Sequence, residues 1–178
     1  MPRFRVCRKE VRRILIAVAS CIGMLPSAIW PAQVASVSAA EFRANLVDVY
    51  GRYQGLLARR DACNVAFPQS KTVNDQAFVA WQGRHKKLLQ DLDQKVSAMI
   101  RAYSKDEKDY SKNFGRFHGS VLQQRDEVQQ TLLQQSRTEL EQMCKDLPPF
   151  LQGSEADLEK EFADELKVIR AWKPPGSK

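Results

Sequence analysis

The chain is poor in the residues from which active sites are usually built. Its 178 residues include two histidines and four cysteines. No HExxH helix, no CxxCH haem attachment and no His/Cys cluster with metal-ligand spacing occurs. The sequence therefore specifies neither a metal nor any other cofactor. A GxSxG elbow and the GxxxxGK[ST] and GxGxxG phosphate loops are missing too, which removes the common nucleophile and nucleotide sites. No catalytic residues are assigned, and a non-enzymatic role is expected. Strand alternation is absent, and no second long apolar run follows the first forty residues. A sheet protein and a later membrane span are thereby excluded.

What is present begins with the amino terminus. Arg3, Arg5, Arg8, Lys9, Arg12 and Arg13 precede an apolar run over residues 14–30, and Ser36-Val37-Ser38-Ala39-Ala40 follows. A basic start, a short apolar centre and small residues at the end make a bacterial-type secretory signal peptide over 1–40. Cleavage after Ala40 or Ala39 is expected, placing the rest in the periplasm or outside the cell. Two other readings remain open. The run can stay uncleaved and anchor the chain to the inner membrane, or Val18-Ala19-Ser20-Cys21 can serve as a lipoprotein box, against which the apolar run past Cys21 speaks.

The leader also accounts for most of the charge. It holds six of the 28 basic side chains and one of the 21 acidic ones, so 22 face 20 in residues 41–178. That balance cannot supply a broad phosphate footprint, and no nucleic-acid partner is expected.

The remaining residues read as one all-α domain of four helices. Phe42, Leu46, Val49, Tyr53, Leu56, Arg60 and Cys63 step by four and three along a helix over about 41–65. Asn74 can cap a second helix to about 103, with Phe78, Trp81, His85, Leu88 and Leu92 on one stripe. Ser104 with Glu107 reads as a capping box opening a third helix over 104–147, ended by Pro148-Pro149. Gly115 and Gly119, with a second box at Ser120 and Gln123, place a break near 115–119; an uninterrupted helix is the alternative. Ser154 can cap a fourth helix to about 172.

Short connections favour an antiparallel up-down-up-down bundle. In that topology helices one and three run the same way, and Cys63 and Cys144 meet at one pole as a disulfide. Two free buried thiols, or a link between chains, are the alternatives.

Basic and aromatic residues mark a candidate interaction patch. Arg84, His85, Lys86 and Lys87 form one cluster, while Lys108, Tyr110, Lys112, Phe114, Arg116, Phe117 and His118 form a second. Such residues suit an acidic protein partner, or peripheral contact with an anionic lipid or glycan. The plainer reading turns the aromatics inwards and leaves the cations solvated. Paired glutamines at 123–124, 129–130 and 134–135 make 123–141 a segment suited to dimerisation. The LTxxQ signature of small helical envelope chaperones and metal sensors is absent.

The leading expectation is an exported, non-catalytic helical module that binds an envelope protein, in the manner of an adaptor, chaperone or inhibitor. The alternatives are a small-ligand or metal carrier using the interior near His85, and an envelope hydrolase that gathers His85 or His118 with carboxylates from another helix.

Overall fold

The computed structural model describes residues 37–175, so the leader up to residue 36 lies outside the described residues. Those described are helical nearly throughout, with no strand among them. None of the helices is long and apolar enough to cross a membrane.

Helix α1 (Ala39–Ala66) starts where the Ser38 side chain accepts the Glu41 N–H at 3.1 Å. Both expected cleavage points thus fall in the first turn of α1. The apolar stripe is buried as its spacing requires: Phe42, Leu46, Val49, Leu56 and Cys63 all lie in the core. Each large apolar side chain so removed from water contributes about 1.5–3 kcal/mol. Phe67 and Pro68 stop the helix, and a 3₁₀ turn (Pro68–Ser70) leads into α2 (Lys71–Arg84). Asn74 is not the cap of this helix. It is buried within the first turn, its amide reaching the Asn64 Oδ1 and the Ser70 hydroxyl.

The expected second helix is bent at His85, which separates α2 from α3 (Lys86–Ala102). The backbone ladder continues through the bend, from His85 N–H to the Trp81 carbonyl at 3.2 Å. The same carbonyl also lies 3.0 Å from the His85 ring Nδ1. A side chain sharing a ladder carbonyl is a recognised cause of helix kinks.

The third helix differs most from expectation. Helix α4 (Glu107–Leu133) is capped by Asp106, whose side chain accepts the Asp109 N–H. Ser104 instead donates its hydroxyl to the Ile100 carbonyl at 2.7 Å and closes α3. Gly115 and Gly119 lie inside α4, where a Cβ would meet only open space, so neither breaks the helix. The break comes at 134–136, where Ser136 and Glu139 form a complete capping box opening α5 (Arg137–Gln152). Pro148 and Pro149 lie within α5 and do not end it. Leu147 and Leu151, four apart and both fully buried, carry the helix through them. The expected fourth helix is divided as well: a 3₁₀ turn (Ser154–Ala156), then α6 (Leu158–Glu161), then α7 (Ala163–Ala171). Asp157, not Ser154, caps α6.

Side-chain pairs fix the directions. Arg43 lies over Tyr103, Tyr50 meets Phe117 and Asp61 faces Arg125, so α1 and α4 run parallel. Arg59 lies over Phe150 and Arg52 reaches the Glu155 carbonyl, so α5 descends antiparallel to α1. Cys63 and Cys144 are bonded, with their Cα atoms 5.4 Å apart. The sulfurs meet as expected but by a different route. Helix α4 carries the chain to the far end of α1, and α5 turns back there and brings Cys144 alongside.

The core gathers on α1. Trp81 and Phe78 of α2, Leu92 and Val96 of α3, Leu147 of α5 and Leu166 of α7 close around it. The Trp81 indole donates to the Ala156 carbonyl at 2.7 Å, so the largest core side chain is also satisfied. Helix α4 is the exception: none of its residues is buried.

Candidate functional site

Three places hold the candidate residues. The first is a polar cavity of about 230 Å³ at the kink, bounded by Arg84, His85, Ser154 and Asp157. His85 is buried and stacked on Trp81, with ring centroids 4.5 Å apart. Its Nδ1 faces a carbonyl, which only accepts, so Nδ1 carries the proton. The other nitrogen, Nε2, stands 3.6 Å from Asp157. Desolvation alone would raise the Asp157 carboxyl. Hydrogen bonds from the Lys160 side chain and backbone outweigh it and hold the group below its ordinary value. With one ring nitrogen on Trp81 and the other towards Asp157, neither is left for a Ser154 hydroxyl. A Ser-His-Asp relay needs both nitrogens in series. Among the described residues no group of three or more His, Cys, Asp or Glu side chains could hold a metal ion. Arg84 is exposed and donates to the Leu151 carbonyl near the end of α5, and Lys86 and Lys87 face solvent.

The second place lies beneath α4, a cavity of about 440 Å³ between α1, α3 and α4. Tyr50, Tyr53 and Gln54 line it from α1, Asp93 and Ser97 from α3, and Phe114, His118 and Arg125 from α4. Of the aromatics in the sequence patch Phe114 lines it, and Tyr110, Phe114 and Phe117 are all half-buried against the core. His118 packs on Phe114 and Phe117 at 4.3 and 5.6 Å between centroids. Partial desolvation at the rim holds the Asp93 carboxyl above its ordinary value, and the charge of His118 opposes this. Burial likewise raises the Tyr50 hydroxyl, helped by the nearby Asp93 charge. No hydrogen bond joins His118 to Asp93 or Ser97 among the described residues.

Arg125 closes the other end of this cavity. Its Nε is sealed from water without a hydrogen-bond partner, and Asp61 is 4.0 Å away. That carboxylate is already engaged by Arg60, whose Nε and Nη2 both bond Asp61 Oδ1.

The third place is the outer face of α4. Lys108, Lys112 and Arg116 are exposed there at intervals of four, one above the other. None of the three forms an ion pair among the described residues. The acids beside them are engaged elsewhere. Glu107 bonds Arg101, Asp106 caps the helix and Asp109 accepts the Lys105 N–H. Of the first basic cluster Arg84 and His85 line the kink cavity, whereas the second cluster lies along α4. Tyr50, Gln54, Asp93, Ser97 and Arg125 escaped sequence reasoning because three helices distant in sequence bring them together. Asp93 carried one signal, an acid directly beside the buried stripe residue Leu92.

No family model matches this chain, and no curated protein or solved structure does either.

Proposed function

We propose that the chain is an exported, non-catalytic helical module of the bacterial envelope that binds another protein through the outer face of α4. The observation that carries this reading is the row Lys108, Lys112 and Arg116, exposed and without ion pairs among the described residues. The row spans eight residues, about 12 Å along the helix axis. Three aligned cations attract and orient an acidic surface. Export is supported by the basic and apolar leader and by a disulfide, which persists in oxidising compartments. In this reading the signal peptide is removed and the helices keep an up-down-up-down order. A non-catalytic role accords with the two histidines, neither of which is bonded to both a nucleophile and an orienting acid.

Photo-crosslinking in whole cells from position 112, followed by mass spectrometry, tests the reading. One acidic protein should be captured, and the triple variant Lys108→Glu, Lys112→Glu, Arg116→Glu should lose it. Capture unaffected by charge reversal would overturn the assignment of the face. Retention on phosphatidylglycerol vesicles with no protein captured would replace the protein partner with a membrane surface.

A further inference from the structure

The cationic row on the outside of α4 continues with charge of the opposite sign. Lys108, Lys112, Arg116, Gly119, Gln123 and Asp126 succeed one another at steps of four and three, and all are exposed. From Lys108 to Asp126 the row runs about 27 Å along the helix. Its amino-terminal half carries three cations, and its other half carries Asp126 with the exposed Glu127 beside it. Arg125, the next cation along the helix, is turned away and lines the cavity beneath α4. Asp126 makes no hydrogen bond or ion pair among the described residues. The Glu127 carboxylate accepts the Gln123 amide and forms no ion pair among them. Like charges four apart on a helix repel, so the cations weaken α4, and no acid of the described residues pairs with them.

A face with cations at one end and acids at the other is complementary to itself in one sense only. Parallel helices would set like charges opposite each other, whereas antiparallel helices set cation against acid at both ends. The spacing locates the axis. Lys112 and Asp126 stand seven residues before and after Gly119. A two-fold axis at Gly119 therefore brings Lys112 of each copy to Asp126 of the other, the closed arrangement of a symmetric dimer. Arg116 and Glu127 flank those pairs. A Cβ at Gly119 would meet nothing within 4 Å, so no part of the chain covers the axis.

We infer that two copies of this chain pair through the outer faces of α4, antiparallel about Gly119, with Lys112 of each against Asp126 of the other. The inference rests on the reading of this face as a partner surface and names the partner: the acidic surface that the row receives belongs to a second copy.

Sedimentation equilibrium of the disulfide-intact protein over a dilution series tests it. The wild type should form dimers that loosen as salt is added. The variant Lys108→Glu, Lys112→Glu, Arg116→Glu leaves the face wholly acidic, and Asp126→Lys, Glu127→Lys leaves it wholly basic. Each alone should dimerise about tenfold more weakly or worse. An equimolar mixture of the two should recover a dimer holding one of each, which also shows that both are folded. A wild type that stays monomeric throughout, or dimers indifferent to salt and to both reversals, would overturn the inference. A monomeric wild type that still captures a different acidic protein from position 112 would overturn the pairing alone and leave the partner-binding reading of the face intact.

Discussion

The Phe42 ring lies almost flat on Trp172, with centroids 3.9 Å apart and planes 12° from parallel. Phe42 stands in the first turn of α1 and Trp172 immediately after α7, so one stacked pair joins the two ends of the described fold. Both side chains are buried. Replacing either with alanine removes a large aromatic from a filled site and should lower stability by about 3–5 kcal/mol. The double variant should lose less than the sum, because the shared contact is removed only once. Urea denaturation followed by circular dichroism measures both.

The turn between α4 and α5 depends on a single serine. Ser136→Ala removes the acceptor for the Glu139 N–H and should cost about 1 kcal/mol. Ser120→Ala should be nearly silent, because that exposed hydroxyl only donates back to the Phe117 carbonyl within α4. Equal losses at the two positions would place the helix boundary where the glycines suggested it.

Those two serines show what the sequence could and could not disclose. The α1 stripe from Phe42 to Cys63 was legible because its spacing of four and three has one physical reading, a helix with one face in a core. The cysteine pairing was legible because only two cysteines follow the leader. The break in the third helix was not. Gly115 and Gly119 look like interruptions, yet glycine costs a helix only about 1 kcal/mol against alanine, and contacts between α4 and α1 offset that. Pro148 and Pro149 look like a stop, yet Leu147 and Leu151 anchor the helix on both sides. In each case distant packing overrode a local preference. The cavity beneath α4 was invisible for a related reason: its lining comes from α1, α3 and α4, which only packing brings together.

The Cys63–Cys144 bond closes a loop of 81 residues in sequence separation. Restricting the unfolded chain to that extent is worth about 4 kcal/mol in a chain-entropy model. Reduction, or the double variant Cys63→Ala and Cys144→Ala, should lower the unfolding free energy by that order. Denaturation curves with and without reductant read it directly, and the variant should be indifferent to reductant.

Asp93 should make stability fall as pH rises. Its carboxyl is held above the ordinary value in the folded state, so the folded chain binds more protons than the unfolded one in the window between the two. Stability attributable to this group is present below the unfolded value near 3.8 and is lost as pH passes through the raised folded value. Asp93→Asn should therefore stabilise the protein at neutral pH, with the gain vanishing in acid. Thermal melts of both proteins from acid to neutral pH measure the difference.

The short turn at 134–136 lies within the span that the sulfur bridge encloses. A protease that cuts there severs the backbone without releasing either piece: the portion ending in α4 and the portion starting with α5 stay tethered through Cys63 and Cys144. Nicked protein should migrate as one species until reductant separates it into two. In a protease-rich compartment, such a bridge makes a cut at this exposed turn survivable.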